Sequence, residues 1–196
     1  MKILRAADHR VMPWKNGGGS TTEIAVFPEG AGLEAFDWRV SMASVAADGP
    51  FSIFPGIDRT LAVLSGTGIV LDIAGRDPVR LTTDDAPQAF PGDAATQGTL
   101  IGGPIVDLNV MTRRRRFTHR VMRHRLRHTA TVVTEGAVTL IISRSPGAAL
   151  SAGDEQVQLD RDDAARIEGP GHSVTLKPAT HQAADMFVVS FSPAAA

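Results

Sequence analysis

Along the chain, apolar and polar positions alternate in short runs punctuated by glycine and proline. Such runs predict strands at residues 21–27, 37–46, 59–64, 68–73, 79–82, 104–111, 118–123, 129–133, 137–143, 157–159, 173–177 and 186–191. They are rich in Val, Ile, Thr and Phe, whose branched or flat side chains suit a pleated surface, and turn residues separate them at roughly regular intervals. No window sustains an apolar period of 3.6 residues for long enough to predict an amphipathic helix. The chain therefore reads as all-β, a sandwich or barrel of short strands. The alternation is clearest at 37–46, where Trp38, Val40 and Met42 share one face and Asp37, Arg39, Ser41 and Ala43 the other.

An internal repeat adds organisation. Residues 74–86, AGRDPVRLTTDDA, align without gaps on residues 152–164, AGDEQVQLDRDDA, sharing Ala74/Ala152, Gly75/Gly153, Val79/Val157, Leu81/Leu159, Asp84/Asp162, Asp85/Asp163 and Ala86/Ala164. Each copy follows an apolar strand and runs toward a Pro-Gly turn, Pro91-Gly92 or Pro170-Gly171. This succession of strand, glycine turn, short strand, acidic turn and strand is similar to the rhythm of a cupin barrel. The expectation is a cupin-like (RmlC-type) β-barrel in a bicupin arrangement of two related β modules. Residues 1–112 would form the first, carrying the pocket, and residues 113–196 the second, packed on it as one unit.

Composition narrows the chemistry. The chain of 196 residues has no cysteine, which removes disulfides, thiolate metal sites and a cysteine nucleophile. No stretch is long and apolar enough for a spanning helix, and residues 1–10, MKILRAADHR, lack the apolar core of a leader, so a cytoplasmic location without membrane contact is expected. Metal-dependent cupins place two histidines one residue apart, and no His-x-His occurs among the 6 histidines. No metal or other cofactor is expected. The net charge of −1 hides a segregation: residues 113–128, RRRRFTHRVMRHRLRH, hold arginines and histidines but no acid, within an otherwise acidic chain. Such a run resembles a nucleic-acid footprint. With one aromatic, Phe117, and many acids elsewhere, ion pairing within the chain or across a homodimer is the preferred expectation.

Candidate chemistry concentrates near the start, in MPWKNGGGSTTEIAVFP at residues 12–28. Gly17, Gly18 and Gly19 permit close approach of backbone amides to a ligand, and successive amides can cradle an anion. Lys15 adds a cation, Asn16 donors and an acceptor, and Trp14 an apolar wall. A phosphate loop is excluded, because its lysine would follow the glycines.

The run PWKNGGGSTTEIAVFP, then FDWRVSMASVAADGPFSIFPGIDRTLAVLSGTGIVLDI, FPGD and GGPIVDLNVMTRR, resembles the HutD/Ves family, closely over about residues 1–116. The resemblance implies the cupin-like fold and, through members encoded among histidine-utilisation genes, regulatory binding of N-formylglutamate. It brings no established catalytic activity. On this reading the partner is a small carboxylate, and nucleic acid is not expected. Lys15, Arg59 and Arg39 would neutralise carboxylates, since the planar arginine fork matches two oxygens. Ser41 would donate beside Arg39 if its face of the strand points inward. Glu23 would accept a ligand amine or hold Lys15, and Asp107 and Asn109 would form a polar pair within an apolar strand. The competing expectation is a metal-independent isomerase, lyase or hydrolase acting on a small carboxylate, with Glu23 as base.

Overall fold

The computed structural model describes residues 1–14, 18–179 and 183–195. Its strands run in order β1 Lys2–Leu4, β2 Arg10–Pro13, β3 Gly19–Phe27, β4 Trp38–Val45, β5 Gly49–Pro50, β6 Ile57–Ser65, β7 Ile69–Ile73, β8 Val79–Leu81, β9 Gln88–Pro91 and β10 Thr96–Leu100. They continue as β11 Ile105–Arg113, β12 Phe117–Leu126, β13 Ala130–Val133, β14 Val138–Ser143, β15 Ala148–Ala152, β16 Glu155–Leu159, β17 Ala164–Glu168, β18 Ser173–Lys177 and β19 Ala184–Pro193. Apart from one 3-10 turn at Ala6–Asp8, no helix occurs among the described residues.

The chain divides into two compact units, Arg10–Thr118 and Met1–His9 with His119–Ala195. The first unit contains a six-stranded sheet, order β2-β3-β4-β11-β6-β9, and a four-stranded sheet, order β5-β10-β7-β8. The second contains a five-stranded sheet, order β1-β17-β14-β19-β12, and a four-stranded sheet, order β13-β18-β15-β16. These sheets are separate, so each unit is an open two-sheet sandwich and not a closed barrel.

Alternation decides what each sandwich buries. In the first unit Ala43, Val45, Leu61, Val63 and Ile105 of the larger sheet meet Ile69, Leu71, Ile73 and Leu81 of the smaller one in a single core. In the second, Ile141, Ala165, Ile167, Met186 and Val188 meet Ala148, Leu150, Leu159, Val174 and Leu176. Removing this apolar area from water is the main force closing each pair of sheets.

Every run read as a strand from the sequence falls on a strand. Those that patterning missed are β1, β2, β5, β9, β10, β15 and β17, which are short and lack a clean apolar-polar alternation. Both repeat copies form equivalent hairpins: β7 pairs antiparallel with β8 and β15 with β16. The shared glycines explain the match, since Gly75 at φ 80° and Gly153 at φ 58° occupy left-handed backbone that other residues rarely adopt.

Candidate functional site

Strand register places a set of polar side chains on the inner face of the first unit's six-stranded sheet. Directly paired residues on neighbouring strands share a face. Glu23 pairs with Ser41, Ser41 with Asn109, and Asn109 with Leu61. Asp107 pairs with Ala43 and Val63, and Met111 lies between Arg39 on one side and Arg59 on the other. Ala43, Leu61 and Val63 belong to the core, so the whole row points inward. Beyond the row lies a second apolar cluster of Phe36, Ile57 and Met111. The result is a polar belt of Glu23, Arg39, Ser41, Arg59, Asp107 and Asn109 between two apolar layers.

The belt is buried: Arg59 is 8% exposed, Arg39 6% and Asp107 0%. Arg59 donates from Nε at 2.7 Å and from Nη2 at 2.5 Å to Asn109 Oδ1. Asn109 in turn donates from Nδ2 to Asp107 Oδ1. This pair of contacts fixes the orientation of the Asn109 amide, carbonyl toward the cation and N–H toward the carboxylate. The rings of Phe51 and Phe90 hold the Arg59 guanidinium, at 4.6 and 5.5 Å from their centroids. Beside it, Arg39 Nε donates to Glu23 Oε2 at 2.7 Å.

Electrostatics follow from this burial. Desolvation, opposed by the attraction of Asp107 and aided by the nearby Arg39, lowers the Arg59 pKa to about 10. Arg59 still carries its charge at neutral pH. Desolvation pushes the Asp107 carboxyl up to about 7, with Arg59 pulling the other way. The belt thus sets two guanidinium groups, Arg39 and Arg59, against two carboxyl groups, Glu23 and Asp107, in a low-dielectric interior where burial favours the protonated form of Asp107. Nη1 of Arg59 and both Nη atoms of Arg39 make no hydrogen bond among the described residues. Both arginines flank Met111, so their backbones are two strand spacings, roughly 10 Å, apart.

The remaining candidates lie toward the start of β3. Lys15, Asn16 and Gly17 fall outside the described residues. Gly18 precedes β3 and its carbonyl accepts from the Ala46 amide at 3.0 Å. Gly19 pairs with Val45, and a Cβ built there would meet the Ser44 carbonyl oxygen at 2.0 Å and the Trp14 ring at 3.1 Å. Close strand approach therefore requires glycine at that position. Trp14 Nε1 donates to Thr21 Oγ1 at 2.8 Å, tying the indole to a residue two positions from Glu23 on the same face of β3.

Sequence reasoning missed Phe51 and Phe90, which cradle Arg59, and Thr21, which anchors Trp14. Two aromatic side chains near a buried arginine carry no distinctive spacing, because β9 and the segment after β5 approach the Arg59 side chain only through tertiary folding. Their scarcity is the one available signal: the chain has 8 Phe, 2 Trp and no Tyr.

The comparisons assign the lineage. The HutD family profile matches residues 6–186. The chain belongs to the HutD family. It is 36% identical over 170 residues, 86% of this chain and 87% of the relative, to an uncharacterized 21.2 kDa protein in the hutC 3' region of Pseudomonas putida. It is 39% identical over 140 residues, 69% of this chain and 71% of the relative, to protein Ves of Citrobacter koseri. A solved HutD from Pseudomonas fluorescens SBW25, described as a formate condition, superposes with TM-score 0.82 at 30% identity, covering 99% of both chains. The cupin-like fold is shown by a cupin 2 conserved barrel domain protein from Leptotrichia buccalis, TM-score 0.56 at 8% identity over 87% of each chain.

In this HutD-family chain the arginine segment is engaged by acids and backbone. Arg114 binds Asp58 at 2.8 Å and Asp93 at 3.2 Å, and Arg116 binds Asp37 at 3.2 Å. Arg113 donates to the carbonyls of Phe36 and Glu34 at 3.2 and 3.0 Å. In the second unit Arg120 pairs with Glu135 at 2.9 Å and Arg123 with Asp185 at 2.5 Å. The expected ion pairing is present. No cluster of three or more His, Asp or Glu with metal-binding geometry occurs among the described residues.

Proposed function

We propose that this HutD-family protein binds a small carboxylate, N-formylglutamate or a close analogue, in the first unit and acts in regulating histidine utilisation. The observation that carries the reading is the pair of buried arginines, Arg39 and Arg59, on one inward face with guanidinium N–H groups left over. Arginine N–H groups without an acceptor call for an anion, and a planar fork suits a carboxylate. Ser41 adds a hydroxyl donor beside them. Trp14 would wall the site and Gly18 and Gly19 would lie beside it, while Lys15, Asn16 and Gly17, the further cation and donors expected from the sequence, lie outside the described residues. The Pseudomonas putida relative, named for the hutC 3' region, and the HutD structure described as a formate condition support this choice of ligand and pathway. The reading places the protein in the cytoplasm. No helix is long and apolar enough to cross a membrane among the described residues. It treats the two units as related modules in a bicupin arrangement, supported by the hairpins that both repeat copies form, and allows a homodimer.

Calorimetric titration with N-formylglutamate, glutamate and urocanate tests the reading, on the unaltered protein and on Arg59→Met and Lys15→Ala. Saturable heat with the first ligand, lost in Arg59→Met, is expected. Absence of binding to all three sinks it, whereas equal binding by Lys15→Ala removes only that residue from the site.

One observation favours turnover as a second reading. Asp107, pushed up to about 7 beside a cation, has the properties of an acid-base group, and would take the role that the sequence suggested for Glu23. Proton NMR of N-formylglutamate incubated with the protein decides it: product signals support the enzyme, and an unchanged spectrum rejects it.

A further inference from the structure

The two oxygens of the Asp107 carboxyl are in different surroundings. Its Oδ1 accepts from Asn109, but Oδ2 is buried and has no hydrogen-bond partner among the described residues. An ionised carboxylate oxygen held without a donor in an apolar interior is strongly disfavoured, and the simplest remedy is a proton. The surroundings show what opposes that remedy. From β6, Arg59 reaches Asp107 through the shared Asn109, and from β4 comes Arg39, already paired with Glu23 of β3. Arg10 of β2, opposite Glu23, is exposed. The facing sheet contributes the apolar side chains Ile69, Leu71, Ile73 and Leu81 to this interior. Arg59 is thus the principal group that keeps Asp107 ionised.

We infer that a carboxylate binding at Arg59 is taken up together with a proton, which Asp107 stores. This rests on the carboxylate-binding reading above and adds a property that reading does not require. The reasoning is electrostatic. A ligand carboxylate on the uncommitted Nη1 of Arg59 offsets the positive field felt by Asp107 and adds a negative charge a few ångströms away. Both changes favour the protonated acid. Solvent or buffer supplies the proton, so where Asp107 is ionised before binding, one anion and one proton enter together and the net charge of the interior is unchanged. Asn109 is the connecting element, because its amide bonds the cation on one side and the acid on the other. By reciprocity, whatever makes the ligand favour protonated Asp107 makes protons favour the ligand. Binding tightens as pH falls through the neutral range, where free Asp107, with its pKa raised by burial to about 7, is losing its charge.

The test uses N-formylglutamate and formate as probes, titrated into the full chain at pH 7 in phosphate and in Tris, buffers of very different ionisation enthalpy. Heats that differ by the uptake of about half a proton per ligand are expected, with affinity falling by up to ~10-fold per pH unit above neutrality. Asp107→Asn keeps the shape and the acceptor for Asn109 and removes the proton, so buffer dependence and pH slope disappear together in that variant. Side-chain carbon NMR of Asp107 in the unaltered protein gives an independent reading: its titration midpoint rises on adding N-formylglutamate. Binding with identical heats in both buffers, a flat pH profile and an unmoved Asp107 midpoint overturns the inference while leaving carboxylate binding intact. Absence of binding by either probe at any pH overturns both.

Discussion

The sheet order β5-β10-β7-β8 of the first unit is matched by β13-β18-β15-β16 in the second, and β4-β11-β6-β9 by β12-β19-β14-β17. The repeat spacing, residue 74 to residue 152, carries Leu61 to Thr139 and Val63 to Ile141. Their cross-strand partners then correspond as well: Asn109 to Ser190, and Asp107 to Val188. Arg59 corresponds to Ala137, which lies just outside β14. One sandwich therefore buries an arginine, an asparagine and an aspartate where the other offers alanine, serine and valine. In the second unit the corresponding inner-face positions carry no charge, and its buried charged residues, Arg144 and Asp163, lie outside those positions. Buried ion pairs are poor stabilisers because desolvation offsets their attraction. Stability alone therefore does not account for the belt of the first unit, in line with the ligand-binding role proposed above.

Substitutions that separate the two interiors sharpen this contrast. Arg59→Met removes the main cation and should weaken carboxylate binding about 100-fold or more, since losing one side of a buried charged contact typically costs several kcal/mol. Calorimetry reads the loss. In the other interior, Leu150→Ala deletes a fully buried side chain and should lower unfolding free energy by about 2–5 kcal/mol. Urea unfolding reads that change, and ligand affinity should not move. If Leu150→Ala weakened binding as much as Arg59→Met, the division of labour between the units would be wrong.

Asp107 provides the next test, through pH. Its folded pKa, about 7, lies above the ordinary value of 3.8, so the native state holds the proton over a range where the unfolded chain has released it. Stability from this group is then present below the ordinary pKa and declines as pH rises toward 7, by on the order of a few kcal/mol. Asp107→Asn should abolish this decline and be more stable than the unaltered protein at pH 8, checked by urea unfolding at pH 5 and 8. His9 of the second unit slopes the other way. Burial lowers its pKa, so its protonation destabilises the fold as pH falls below the ordinary histidine value. The difference between variant and parent isolates Asp107 from that effect.

How much of this was legible in the sequence depends on what periodicity can express. The strands at 37–46 and 104–111 declared themselves by alternation, and the pairs Arg39/Ser41 and Asp107/Asn109 followed as same-face sets. Which face points inward was not readable at Arg39, because both faces of β4 are buried: Trp38 and Val40 are 0% exposed and Ser41 is 2% exposed. Nor could the sequence join Arg59 to Asn109, fifty positions apart, because only sheet register does so. The glycine run drew attention as a ligand cradle, yet Gly19 has a packing reason of its own in the approach of Ser44 and Trp14. Shape and charge signals are local in sequence, whereas the belt is assembled by pairing distant strands.

The smallest expected effect probes the second interior where it retains a polar group. Thr139 pairs with Ser190 on the inner face of β14, is 0% exposed, and its Oγ1 has no hydrogen-bond partner among the described residues. Replacing a buried hydroxyl that makes no bond by a methyl of nearly the same size removes a desolvation penalty without opening a cavity. Thr139→Val should therefore gain about 1 kcal/mol, a rise in Tm of roughly 2–4 °C for a protein of this size. Thermal unfolding measures the shift, and carboxylate titration should give the parent affinity. The sign matters more than the size. A gain with binding unchanged means that polarity in the second interior is a remnant that packing tolerates. A loss means that Thr139 has work to do there, and the contrast between a functional first interior and a packed second one would have to be redrawn.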